Sequence, residues 1–381
     1  MRPASGALVA LLAAVMAGHP AASAAQLAPP RWRGTIDLTI GGADANDDAS
    51  FGRVSGVAVD RAGRIFVADG QDNQVRMFSP GGAFVARIGR MGSGPMEFKT
   101  LGAITIVPDG FLWTRDEGNA RILALDVSAA KPREAKNVPL LNFSGDTRRV
   151  IAFLPDGSLV DEKFWYDQAS DNVIPIRIRR TLSGTVSRMD TLPVPKGAYA
   201  GVYKVNEPQK DASGKTVGLA QYYVWQPFGP QWVRAYGPGG LRADAVTSQY
   251  DVRIYDASEQ LLRTLKRTVP PVALSPRERK TADSALGWYK MRLPFGVPAA
   301  KTPIAGLVWS QDGQLWVERS VADGRPREAD VYDQAGRWIA IAEWPATIDL
   351  RVWTTAITGQ TVTTAARDSS DVERIVRMRF R

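Results

Sequence analysis

The sequence predicts an all-β fold, a six-bladed β-propeller, on three observations. From residue 54 onward, short runs of Val, Ile, Phe and Met alternate with small or polar residues, the period-two pattern of half-buried strands. Turn signals rich in Asp, Asn, Pro and Gly separate these runs. The whole pattern returns about every 45 residues, the length that four strands and their turns require.

The first unit is VSGVAVDRAGRIFVADGQDNQVRMFSPGGAFVARIG, residues 54–89, read as four strands. The second begins at LGAITIVPDGFLWTRDEGNARILALD, 101–126, and the third at RRVIAFLPDGSLVDEKFWYD, 148–167. Their first turns carry Gly63, Asp109-Gly110 and Asp156-Gly157, and the three glycines fall 47 residues apart. A tight hairpin needs a residue at positive φ there, which glycine supplies without steric cost. Residues 230–267 form a fourth unit, and 304–344, with Asp312-Gly313, a fifth. The last, 350–381, turns near Thr358-Gly359 and offers only three strands. The expected fourth is WRGTIDLTIG, 32–41, which would close the ring and remove a sheet edge. Residues 26–381 are therefore expected to form a single propeller domain.

Residues 1–25 read as a secretory signal peptide. Arg2 precedes an apolar run from Ala7 to Ala17, and small residues end the segment, with cleavage near Ala24-Ala25 or Ala25-Gln26. That run is too short to anchor in a bilayer, and no other stretch approaches about 20 apolar residues. A periplasmic or secreted protein without a transmembrane segment is expected. Its basic residues are scattered along the chain rather than clustered, which argues against nucleic acid as a partner.

Composition excludes several chemistries. The chain has no Cys, and its one His is His19, inside the leader. A Ser-His-Asp triad, a Cys nucleophile and the usual zinc sites are therefore ruled out. No G-x-S-x-G occurs. The loop with Asp44, Asn46 and Asp48 imitates the start of a calcium loop. It then fails, with Ala49 where Gly is needed and Ser55 where a bidentate Glu is needed.

RIGRMGSGPMEFK, 87–99, raises the question of a phosphate loop. Gly89 and Gly94 are spaced as in a P-loop, but Pro95-Met96 replace Lys and Ser/Thr and a strand follows instead of a helix. A connector from the outer rim to the central axis is predicted, with Phe98 wedged between sheets. At this point the chain resembles NHL-repeat propellers. GSGPMEF is similar to their inter-blade G-x-G-x-G-x-F motif. Asp69 and Asn73, then Asp116, Asn119 and Arg121, match the polar positions that follow, whereas Gln74 stands where that family has Arg. The likeness covers residues 50–126. It implies an exported bacterial propeller and a binding role, and no particular reaction.

Two segments interrupt the repeat. Residues 197–236 hold Tyr199, Tyr203, Tyr222, Tyr223, Trp225, Phe228, Trp232 and Tyr236. Of these Tyr222, Tyr223, Trp225, Phe228 and Trp232 are the candidate ligand-binding residues, a stacking platform for a sugar, peptide or aromatic group. Residues 274–296 begin with Ser275, Pro276 and Glu278, the signature of a capped helix start. Ala282, Leu286, Tyr289 and Leu293 then recur at helical spacing, which predicts one amphipathic helix of about four turns.

The function expected is non-enzymatic binding of a protein, peptide or glycan in the cell envelope, with no cofactor, as a monomer. The alternative is a Ca²⁺-dependent hydrolase similar to sugar lactonases, a metal-dependent lactonase or esterase, because propellers host that chemistry without His or Cys. An NHL-type lyase would need zinc held by His, which this chain lacks.

Overall fold

In the computed structural model the described residues are 28–107, 110–129, 131–140, 152–167 and 172–381. Residues 1–25, read above as a signal peptide, and Asp109 lie outside them. Strands pair into sheets in the order the repeat predicts. Blade I comprises Val54–Val59, Ile65–Asp69, Gln74–Phe78 and Phe84–Ile88. Blade II comprises Leu101–Ile106, Leu112–Asp116, Arg121–Asp126 and Arg133–Pro139. Blade III comprises Ala152–Phe153, Leu159–Asp167, Asn172–Arg180 and Val186–Thr191. Blade IV runs through Trp232–Tyr236, Arg242–Val246, Asp251–Tyr255 and Leu261–Lys266. Blade V runs through Ile304–Trp309, Leu315–Arg319, Arg327–Tyr332 and Trp338–Trp344. Blade VI is Thr355–Thr358, Thr361–Arg367 and Glu373–Phe380, completed by the N-terminal strand Arg31–Gly41. Gly34–Gly41 pairs antiparallel with Phe380–Arg374, the closure that the missing fourth strand required. Arg31–Arg33 also pairs parallel with Ile341–Glu343, so this strand stitches blade V to blade VI.

Each blade hides apolar side chains against the next, which is what stabilises the ring. Val67, Ile65 and Phe78 of blade I pack with Ile40 and Ile375 of blade VI. Phe66 and Met77 leave the other face of blade I and meet Leu101, Leu112 and Leu123 of blade II. Gly63, Gly110 and Gly157 sit at φ near 80° in equivalent first turns, as their spacing requires.

The glycine-rich connector is tied to the sheets rather than open to a phosphate. A side chain on Gly89 would run into the Phe98 ring at 2.3 Å, and Phe98 is fully buried. The space beside Gly92 and Gly94 is taken by the Glu97 carboxylate, which accepts from the Gly94 amide at 2.8 Å and from Arg90 Nε at 2.8 Å. Those donors hold the Glu97 carboxyl below its usual range. Arg121 Nη2 donates to the Gly94 and Glu97 carbonyls, and Asn119 Nδ2 to Gly92 O at 2.9 Å. Asp116 Oδ1 accepts from the Lys99 and Thr100 amides at 3.1 and 2.9 Å. In blade I, Asp69 accepts from Gly52 N, and Asn73 Oδ1 accepts from Leu101 N at 2.8 Å. Gln74 takes no part in this. Arg76, two residues on, donates to Ser50 O and lies 3.6 Å from Asp69.

The helix is shorter than its periodicity predicts. It spans Pro276–Leu286, with Ser275 and Glu278 forming the reciprocal capping box. Gly287, at φ 51°, ends it, and a 3₁₀ segment Gly287–Arg292 follows. The α-helical geometry therefore stops before Tyr289, and Ala282 and Leu286 are its buried residues. Among the described residues, no helix is long and apolar enough to cross a membrane.

Candidate functional site

The aromatic residues of the 197–236 segment do not form one platform. Val202–Lys210 and Thr216–Trp225 make a two-stranded hairpin outside the blades. Strand alternation sends Tyr223 and Trp225 to one face with Leu219, and Tyr222 to the other, opposite Val205. Tyr222, Tyr223, Trp225 and Phe228 are exposed. Lys301 Nζ stands 5.9 Å from the Phe228 ring centroid. Trp232 lies apart, on the inner strand of blade IV, with the Arg234 guanidinium 4.1 Å from its ring centroid.

One concave feature lies where the inner strands converge. A cavity of about 560 Å³ opens at the end of the channel that carries the first turn of each blade. All six blades contribute to its wall. Val57 and Ala58 come from blade I, Ile104–Ile106 from blade II and Phe153 from blade III. Tyr236, Trp309 and Ala356–Ile357 come from blades IV, V and VI, and Val352 and Trp353 close the rim. Trp113 and Lys136 extend the wall into the cleft between blades II and III.

Position within the repeat explains this lining. Ile106, Phe153, Tyr236 and Trp309 each stand four residues before a turn glycine at positive φ, namely Gly110, Gly157, Gly240 and Gly313. That position ends the inner strand and aims at the axis. This regularity was available in the sequence. It was obscured because the residue type there varies, while the denser aromatic run lay in the hairpin.

The polar framework behind the wall is buried and paired. Tyr236 OH donates to Glu162 Oε1 at 2.6 Å, and Arg234 Nη2 donates to Glu162 Oε2 at 2.7 Å. Burial, together with the Glu162 charge, pushes the Tyr236 hydroxyl well above its ordinary range. It stays protonated and serves as a donor. Arg115 makes a forked pair with Asp161, at 2.6 and 3.3 Å, and donates from Nε to Glu117. Burial works against the Arg115 charge, but the two carboxylates outweigh it and hold the guanidinium above its usual value.

The described lining of the mouth contains no Asp, Glu or His. Nor do three or more such side chains converge anywhere among the described residues in a way that could hold a metal ion. In the acidic loop, Asp48 pairs with Arg87 at 2.9 Å and Asn46 Oδ1 accepts from the Ala49 amide. Ser55, where a calcium loop needs Glu, instead bonds Gly102 O across to blade II at 3.0 Å.

Residues 44–166 match a family described as a 6-bladed beta-propeller. No curated protein matches the sequence. Among solved structures, the chain is similar to a protein of Bacteroides fragilis described as exported, at 12% identity and TM-score 0.47, covering 92% of this chain and 99% of that one. It is similar to virginiamycin B lyase from Staphylococcus aureus at 14% identity and TM-score 0.41, covering 90% and 97%. It is also similar to the PQQ-bound aldose sugar dehydrogenase of Streptomyces coelicolor at 14% identity and TM-score 0.45, covering 93% and 100%. The sheet order and the family match over residues 44–166 together make this chain a six-bladed β-propeller.

Proposed function

We propose that this propeller is an exported, non-enzymatic binding protein that takes an apolar or aromatic group of its partner into the channel mouth. One observation carries the reading. All six inner strands deliver apolar or aromatic side chains to one cavity of about 560 Å³, a size that suits a small ligand or a peptide side chain. Polar groups there are few, among them Ser310, Gln311 and Lys136. A wall of this kind gains its affinity from apolar burial and leaves the few polar groups to orient the ligand. A glycan, which presents many hydroxyls, fits this wall less well than an aromatic peptide side chain or a small aromatic molecule. The leader-like residues 1–25 support export. The Asp116, Asn119 and Arg121 grip on the connector supports the NHL type of repeat.

The lactonase alternative would need oxygen ligands gathered at the channel, and the described residues do not assemble such a set. The hairpin is a second binding candidate, because Leu219, Tyr223 and Trp225 share one exposed face.

Calorimetric titration with 1-naphthamide, a neutral aromatic probe, separates these readings. Saturable binding is expected, weakened at least tenfold by Trp353→Ala or Trp309→Ala and unchanged by Trp225→Ala. Loss with Trp225→Ala alone would move the site to the hairpin. A rise of several degrees in the unfolding midpoint on adding Ca²⁺ after chelator treatment would revive the hydrolase.

A further inference from the structure

Among the described residues, the cleft between blades II and III holds two cations, Lys136 and Arg180, that no salt bridge pairs. In blade II, Trp113, Ala124 and Lys136 are cross-strand partners and form one row on the face toward blade III. In blade III, Phe153, Leu159, Arg180 and Val186 form the corresponding row. The two rows face each other, because the Trp113 and Phe153 rings are 4.8 Å apart and Ala124 and Leu159 share one buried cluster. That register places Lys136 and Arg180 on facing rows in the outer part of the cleft. Lys136 lines the cavity, as does Leu182, two residues beyond Arg180.

Neither cation has a salt-bridge partner among the described residues. Lys136 Nζ stands over the rings of Phe111 and Trp113, at 5.4 and 5.6 Å, and has no carboxylate partner among the described residues. Arg180 is 1% exposed, and its Nε and Nη1 are buried without a hydrogen-bond partner. The nearest layer beneath is already committed, with Asp161 and Glu117 both bound to Arg115. Burial pushes the Arg180 guanidinium down, and the attraction of Asp161 only partly offsets it. Folded proteins rarely leave a buried guanidinium unpaired, since the desolvation cost is then uncompensated.

We infer that the cleft is an anion subsite of the channel mouth, so that the ligand is an aromatic or aliphatic body bearing one carboxylate or phosphate. The body lies against Phe153, Tyr236, Trp309 and Trp353, and the anionic head enters between Lys136 and Arg180. This inference rests on the channel-mouth reading above and adds the charge of the ligand. Arginine is suited to the head group because its planar fork donates two parallel hydrogen bonds to a carboxylate or phosphate.

The test compares three probes of one shape on the full mature chain: 1-naphthoate, 1-naphthyl phosphate and neutral 1-naphthamide. Either anion or both should bind at least tenfold more tightly than the amide, and the better of the two identifies the head group. Arg180→Gln should abolish that preference while leaving amide binding unchanged, and Lys136→Gln should abolish it as well. Arg180→Gln should unfold no earlier than the parent, since it removes a cation without a salt-bridge partner. Equal binding of all three probes overturns the anion subsite and leaves the channel-mouth reading standing. An anion preference that survives both substitutions also overturns it. If no probe binds, both readings fall.

Discussion

Asp161→Ala is expected to destabilise the protein by about 3–5 kcal/mol, the usual cost of removing one partner from a buried ion pair. The side chain is 9% exposed and accepts both hydrogen bonds of the Arg115 fork. Without it Arg115 keeps only Glu117, and Arg180 loses the one carboxylate whose field favours its charge. Two cations would then share a buried site with one anion. Arg180→Met should act in the opposite sense. Alone it should stabilise the chain by about 1–3 kcal/mol, because it replaces an unpaired buried charge with an apolar side chain of similar length. In the Asp161→Ala background it should recover more than that, because the repulsion between Arg115 and Arg180 is then unscreened. Urea unfolding of the parent, the two single variants and the double variant gives the coupling directly. Additive effects would show that Arg180 does not share the site of Asp161. If Arg180→Met also erases the anion preference, the residue is kept at the expense of stability, as functional groups often are.

The ring and its closure were legible in the sequence because each rests on a periodic cause. The turn glycines recur at fixed spacing, since every first hairpin needs positive φ, and the last unit lacked one strand that only the N-terminal segment could supply. Asp116, Asn119 and Arg121 were legible for the same reason, as the connector they hold repeats with the blades. The helix end was misjudged because Tyr289 and Leu293 continue the apolar spacing, while Gly287 adopts positive φ and breaks the geometry. The channel mouth was not legible as a site. Phe153, Tyr236, Trp309 and Trp353 lie far apart in the chain, and only closure of the ring brings them together. The Lys136–Arg180 cleft was hidden more deeply still. Nothing local marks these two residues, and their register across adjacent sheets is a property of the folded pair of blades.

Deleting residues 28–41 should abolish cooperative folding rather than trim it. The strand Arg31–Gly41 is a bridge between two blades, not an ornament on one. Arg33 and Arg381 exchange backbone hydrogen bonds at 2.8 and 3.2 Å, and Pro30 O accepts from Ile341 N of blade V at 2.9 Å. Arg31 reaches Glu328 and Glu343 of blade V at 2.8 and 3.3 Å, and Asp37 pairs with Arg377 and Arg379 of blade VI at 2.9 and 2.6 Å. Gly34 lies so close beneath Phe380 that an added Cβ would meet the ring at 2.7 Å, and Phe380 in turn packs edge-on against Trp316 of blade V. A backbone hydrogen bond contributes about 0.5–1.5 kcal/mol net. The run of pairs from Gly34 to Gly41 therefore approaches the total stability of a typical domain, about 5–15 kcal/mol. The shortened chain should lose its sharp unfolding transition and expose Glu373–Phe380 as a sheet edge prone to aggregation. A synthetic peptide of residues 28–41 should restore the transition by adding a strand in trans, and the same peptide with Gly34→Leu should not. A sharp transition in the deleted chain without peptide would show that the ring closes without this strand. Asp37 adds a pH signature to the same closure. The Arg377 hydrogen bonds hold its carboxyl below the usual carboxylate range. Because folding lowers this carboxyl, the clamp contributes fully above about pH 5, where the carboxyl is ionised in both states, and is lost as pH falls through the unfolded and then the folded value. Asp37 is partly exposed, so the contribution is about 0.5–1 kcal/mol. Asp37→Asn should lower the unfolding midpoint at pH 7, with the difference shrinking as pH falls below about 4 and in high salt.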